Sequence, residues 1–177
     1  MEIIKYSNIG CREINQDCLA SLSFDHDKSI HIVADGIGGY DCGEIASKIV
    51  CESYIHGLVN NLSIDEVTKE VSKNIQTECR NLGVSKMGST VAAVVLNGLQ
   101  ASIFWAGDSR VYVFRDKHLL YQTEDHSLLN ELSRVRELSF DEKKRYKHII
   151  TRSIMGNADD KVDHDNLELC FGDEILI

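Results

Sequence analysis

Proline is absent from all 177 residues, and tryptophan occurs once. The first absence removes the commonest loop stiffener and carries no functional message by itself. Long apolar runs are lacking too. The longest, Val91 to Leu96 (VAAVVL), falls far short of the roughly 20 residues that a membrane-spanning helix needs. No basic stretch followed by an apolar one opens the chain, so the expectation is a protein that stays in the cytoplasm, away from membranes. None of the six cysteines forms a C-x-x-C pair, and free thiols are expected rather than a disulfide framework. Positive charge is scarce: 19 Lys and Arg against 28 Asp and Glu leave a net charge of −9. That balance argues against a nucleic-acid binder, which needs a basic surface. The excess carboxylates serve solubility and would also suit divalent cations.

What is present reads as one globular domain over 1–177, with 43% hydrophobic and 27% charged residues. Ile3 to Ile9, Cys18 to Phe24 and Ser29 to Asp35 read as strands. The period then changes to helical spacing over 43–60 and 64–82, where Ser63 and Glu66 form a capping box. Strands return at Ser89 to Leu96, Gln100 to Ala106, Arg110 to Arg115 and His118 to Gln122, with turns at Asn97-Gly98 and Asp116-Lys117. Ser127 to Lys147 is polar and helical, with a second capping box at Ser139 and Glu142. Leu167, Leu169 and Phe171 alternate as a strand, and Glu174 to Ile177 begins another. Blocks of strands and helices without strict βαβ alternation point to an α+β fold with antiparallel sheets covered by helices. The chain stops at EILI, inside what reads as a buried strand, so the expectation is a fragment or shortened member of a longer domain.

Four stretches could carry chemistry. In HIVADGIGGYDCGEIAS (31–47), Asp35 leaves a buried strand beside Gly36, Gly38 and Gly39, which would let the backbone turn and offer carbonyls. An aspartate plus an exposed carbonyl suits magnesium or manganese, although a capped turn would give the same letters. The dinucleotide pattern G-x-G-x-x-G fails because its last position is Asp41. Arg12 precedes Asp17 by five residues, which could set a phosphate clamp beside a metal-seeking carboxylate or merely a solvated loop. Gly107-Asp108-Ser109-Arg110 reads most simply as a β-turn with Asp108 paired to Arg110. In Thr123-Glu124-Asp125-His126-Ser127, Thr123 or Asp125 is a helix cap and His126 a structural hydrogen-bonder. Asp25-His26-Asp27 and Asp163-His164-Asp165 look like metal ligands but read as solvated loops, without the ligand set of a zinc site.

Taken in order, RxxNQD, VADGIGGYDCGEIAS, MGST (87–90), WAGDSRVYVFR, TEDHS, TRSIMG (151–156) and the closing GDEILI resemble the PPM family of metal-dependent protein phosphatases, type 2C. The likeness covers essentially the whole chain. It implies two antiparallel sheets in a central sandwich flanked by pairs of helices, with the last strands missing here. The implied reaction is hydrolysis of protein phosphoserine and phosphothreonine through a water bridging two manganese or magnesium ions. By the same resemblance Asp35 bridges the metals, the Gly36 carbonyl is a ligand, and Asp17 binds directly or through water. Arg12 grips the substrate phosphate, and Asp108 serves a weaker third metal. Ser89, Thr90, His126, Thr151 and Arg152 are motif residues read as scaffold, and 127–148 corresponds to the family's flap. The implied partner is a phosphorylated protein, opposing a Ser/Thr kinase, with the phosphatase acting as a monomer.

Ile37 stands where many eukaryotic members carry a histidine, Tyr40 where bacterial ones often do, and Gln16 replaces a glutamate. These departures point to the bacterial type and leave the proton donor to the leaving group unassigned. The family's two further ligand aspartates, in an Asp-Gly and an Asp-Asn motif after G-D-x-x-L-x, would lie past Ile177. The expectation is therefore a half-built metal site with weak manganese affinity and little turnover. The alternative is a non-catalytic relative that binds a phosphopeptide or another partner.

Overall fold

A computed structural model describes residues 2–25, 27–37 and 42–177 of the chain. The expectations attached to His26, Gly38, Gly39, Tyr40 and Asp41 lie outside these residues. The elements, in chain order, are β1 (Asp17–Asp25), β2 (Lys28–Asp35), α1 (Gly43–Val59), α2 (Ile64–Leu82), β3 (Val91–Asn97), β4 (Gln100–Ala106), β5 (Tyr112–Arg115), β6 (His118–Gln122), α3 (Leu128–Ser133), α4 (Phe140–Tyr146), β7 (Asp163–Glu168) and β8 (Glu174–Leu176). They build a five-stranded sheet, ordered β1-β2-β3-β4-β7, and a three-stranded sheet, ordered β6-β5-β8. Every strand pairing is antiparallel.

The apolar run of β3 explains the layering. Side chains alternate across a strand, so a strand buried on both faces reads as continuous hydrophobic sequence. Val91 and Ala93, with Ile30, Ile32 and Ala34 of β2 and Phe104 and Ala106 of β4, pack against Ala46, Val50, Tyr54, Val67, Val71 and Ile75 of the helices. The intervening Ala92, Val94 and Leu96, with Ala101, Ile103 and Trp105, pack against Val111, Val113 and Leu169 on the side of the small sheet. Each fully buried aliphatic side chain contributes roughly 1.5–3 kcal/mol before chain entropy is set against it. The large sheet is thus the middle layer, with helices on one face and the small sheet on the other.

The helix pair forms as its sequence dictates. Ser63 accepts from the Glu66 N–H while Glu66 reaches back to the Ser63 N–H, and Gly83 ends α2 in the left-handed region. At Gly57 a Cβ would lie 2.4 Å from Val67 Cγ2, so the absent side chain lets α1 and α2 approach, and Tyr54 and Thr68 share a 2.7 Å hydrogen bond there. The β5–β6 turn places Asp116 and Lys117 both at positive φ, the geometry of the two-residue hairpin read from the sequence.

Several expected boundaries are corrected. Ile3 to Ile9 is not a strand: residues 2–9 are irregular and exposed, with Ile4 87% and Tyr6 78% accessible. β-propensity forms a strand only against a partner, and among the described residues β1 pairs with β2 alone. The strand read at Leu167 to Phe171 instead occupies Asp163–Glu168, where Trp105 faces Asp163 and Gln100 faces Glu168. Asp163-His164-Asp165 is therefore an edge strand rather than a polar connection. Backbone pairing to β4 holds it, and Asp163, Asp165 and Asn166 add side-chain bonds to His126, Tyr121 and Ser102. In 127–148 the helical content divides into α3 and α4, neither of which buries a residue.

Candidate metal centre

β1 and β2 run antiparallel with Asp17 opposite Asp35. One step beyond, the Gly36 N–H donates to the Gln16 carbonyl at 3.0 Å. The alternation of an antiparallel ladder then makes Asp17/Asp35 the close, non-hydrogen-bonded pair, with both side chains on one face. The return bond to the Gly36 carbonyl is not made, and no described residue donates to that oxygen. Gly36 is required by close approach: a Cβ there would lie 2.3 Å from the Gly43 carbonyl oxygen and 2.9 Å from that of Gln16. Gly43, first residue of α1, is itself crowded by the Gln16 amide, so the end of β2 and the start of α1 meet backbone to backbone with that amide packed beside them.

Arg12 faces the two aspartates across an open cavity of about 200 Å3, lined also by Asn8, Ile9, Asn15 and Gln16. Its Nη1 donates to Gln16 Oε1 at 3.2 Å, and the Asp17 N–H donates to Asn15 Oδ1 at 3.1 Å. Asp35 keeps contact with solvent, yet partial burial pushes its carboxyl up to about 6. The Asp17 charge and hydrogen bond add to that rise, Arg12 opposes it, and Asp108 adds a smaller upward push. Two carboxylates forced together beside the Gly36 carbonyl form an all-oxygen donor set, the chemistry that fits a hard divalent cation. Among the described residues, however, no group of three or more His, Cys, Asp or Glu is placed to hold a metal.

The backbone of Asp35 is locked by the two residues that lead into β3. Its N–H donates to Thr90 Oγ1 at 2.9 Å, and its carbonyl accepts from the Thr90 N–H at 2.8 Å and from Ser89 Oγ at 3.0 Å. Thr90 Oγ1 also meets Ser109 Oγ at 2.7 Å, so one buried hydroxyl joins the strand carrying Asp35 to the turn carrying Asp108. Gly107 sits at φ 112, and a Cβ there would lie 2.6 Å from Thr90 Cγ2.

The structure thus gathers Arg12, Asp17 and Asp35 around one cavity, with Gly36 next to Asp35 and bonded to Gln16, while Asp108 does not line it and bears on it through its charge. Thr90, read from sequence as scaffold, turns out to be the junction between the two acidic segments. Gly43 and Gln16 were missed as partners of Gly36, because nothing local in the sequence announces a contact between two turns. Two pairings differ from expectation. Arg110 pairs with Asp125, through both guanidinium and carboxylate forks, rather than with Asp108. The cap of α3 is Ser127, whose hydroxyl accepts from the Asn130 N–H, rather than Thr123 or Asp125. Thr123 accepts instead from the buried Val111 N–H at 2.9 Å. His126, as expected, is a hydrogen-bonder, contacting Asp163 and Arg152.

Comparison with known proteins agrees with this architecture. The family model described as protein phosphatase 2C matches residues 6–159. A putative protein phosphatase 2C-type of Streptococcus pyogenes is 34% identical over 168 residues, which cover 87% of this chain and 68% of that protein. The solved serine/threonine phosphatase of S. agalactiae superposes with a TM-score of 0.71 at 30% identity, over 93% of this chain and 72% of that one. The catalytic domain of the serine threonine protein phosphatase PstP, solved in complex with two manganese ions, shares the fold with a TM-score of 0.75 at 24% identity, covering 93% and 70% of the two chains. The chain belongs to the protein phosphatase 2C family. No helix among the described residues is long and apolar enough to cross a membrane.

Proposed function

We propose that this site serves the hydrolysis of phosphoserine and phosphothreonine on proteins, with Asp17, Asp35 and the Gly36 carbonyl donating to manganese or magnesium. The observation that carries this reading is the register pairing of Asp17 with Asp35, facing Arg12 across one cavity. Bound there, a pair of divalent cations would lower the pKa of water and stabilise the attacking and leaving oxygens. The chain's own residues do the rest. Arg12 presents a planar fork of donors that matches two phosphate oxygens and orients phosphorus toward the aspartates. Asp35, fixed by Thr90, holds its carboxylate against Asp17, and Asp108 lends a third carboxylate for a weaker cation. The segment 127–148 would form a flap over the substrate. The partner is a phosphorylated protein whose modification a Ser/Thr kinase installs, and the phosphatase would act as a cytoplasmic monomer.

Among the described residues, Asp17 and Asp35 are the carboxylates that line the cavity, which favours weak manganese binding and low turnover. The absence of a three-ligand group among the described residues supports that view, and it also favours a second reading as a phosphopeptide-binding module. A phosphothreonine-peptide assay with manganese, run beside fluorescence anisotropy on the same peptide, separates the two. Slow release of phosphate that Asp35→Asn abolishes supports the enzyme. Saturable binding with no release, unchanged by Asp35→Asn, supports the module and defeats the first reading.

A further inference from the structure

His126 grips the backbone of Gly107 from both directions. Its own N–H donates to the Gly107 carbonyl at 2.9 Å, and the Gly107 N–H donates to His126 Nδ1 at 3.1 Å. A backbone N–H can only donate, so Nδ1 carries a lone pair and the neutral ring keeps its proton on Nε2. That proton faces Asp163 Oδ2 at 3.1 Å. Arg152 Nη1 lies 3.0 Å from the same Nε2, but both are then donors; the acceptor for Arg152 is the other oxygen of Asp163. The ring stacks on Trp105, with centroids 6.0 Å apart and planes within 10°, and its carbonyl accepts from the Thr151 N–H at 2.9 Å. The far-edge strand β7 therefore selects the tautomer that holds Gly107.

Gly107 precedes Asp108, and Ser109 on the other side is held by Thr90. Among the described residues no hydrogen bond holds the Asp108 carboxylate itself, so its place follows from these two flanking anchors. We propose that His126, set by Asp163 and Arg152, is a positioning residue that fixes the turn carrying Asp108, which Thr90 ties to the strand of Asp35 at the candidate metal centre. The proposal rests on the reading of Asp108 as a contributor to cation binding. A ligand's outer partners commonly change metal affinity by about 10–100-fold.

The test uses the 15N-labelled 177-residue chain and manganese alone. Ring nitrogen correlations should show His126 as the Nε2–H tautomer, and an Nδ1–H ring overturns the proposal. His126→Phe keeps the stack on Trp105 but offers no acceptor. It should shift the Gly107 and Asp108 amide resonances and weaken the Asp108-dependent manganese binding about tenfold, to the level of Asp108→Asn. His126→Asn places a carbonyl oxygen near the former Nδ1 and should restore both. Should His126→Phe fail to fold, Asp163→Ala leaves the ring in place and should admit the Nδ1–H tautomer, moving the Gly107 amide; an unmoved tautomer overturns the proposal. If Asp108→Asn binds manganese as the parent does, the reading of Asp108 fails, and the amide shifts still decide whether His126 sets the turn. If Asp108→Asn weakens binding and His126→Phe does not, the positioning role is wrong.

Discussion

Asp17 and Asp35 stand opposite one another across β1 and β2, at a position where the ladder brings side chains together without a bond between backbones. Without a cation the pair is a liability, since like charges directly opposite destabilise a sheet. Partial burial and the Asp17 charge hold the Asp35 carboxyl at about 6 rather than near 4. A carboxyl raised in the folded state favours folding at low pH, and that contribution is lost as pH rises from about 4 to about 6. Metal-free Asp35→Asn should therefore melt a few degrees above the parent at about pH 7.5, with the difference closing near pH 4. The gain is modest because solvent reaches the group. Differential scanning calorimetry at several pH values in chelator measures it; a variant that melts lower at neutral pH contradicts the charge argument.

Gly36→Ala tests the backbone contact beneath the pair. The added Cβ meets the carbonyls of Gly43 and Gln16, neither of which is the free end of a side chain. Overpacking of this kind costs about 1–3 kcal/mol. Urea titration should show that loss, and an unchanged midpoint would mean that the strand end and α1 separate easily.

Thr90→Val keeps the shape and removes the hydroxyl that receives the Asp35 N–H and meets Ser109. Leaving that N–H without its partner in a buried place should cost about 1–3 kcal/mol. Amide exchange at Asp35 should accelerate far more than at the β3 core. Equal acceleration throughout would mean that the substitution acts globally and that Thr90 is not a local tie.

Much of the frame was legible. The capping box at Ser63 and Glu66 and the helical stripe behind it marked α2, and the stretch from Ser89 to Leu96 read as a strand, which the structure shows buried on both faces. Asp17, Asp35 and Arg12 were legible as a group only through their order along the chain, since each motif alone reads as a turn or a solvated loop. What stayed hidden was non-local. Ile3 to Ile9 had the composition of a strand and no partner to pair with. β7 had the composition of a loop and a partner in β4 that made it a strand. The contact of Gly36 with Gly43 and the link from Asp35 through Thr90 to Ser109 depend on which turns the sheet brings together, and no local pattern encodes that.

Arg12 is exposed, and among the described residues its side chain makes one hydrogen bond, to Gln16. Arg12→Ala should leave stability within about 0.5 kcal/mol, as surface substitutions usually do. In anisotropy titrations with manganese it should weaken phosphothreonine-peptide binding about tenfold or more, since hydrogen bonds to charged groups are worth about 1.5–3 kcal/mol. Equal affinity of variant and parent would remove Arg12 from the phosphate site.

Isothermal titration of manganese into the 177-residue chain tests the central claim most directly, because it asks whether the facing aspartates are cation ligands at all. The account predicts weak, saturable binding that Asp35→Asn abolishes and Asp17→Asn reduces. Binding that survives Asp35→Asn unchanged, or no binding by the parent chain, would contradict it.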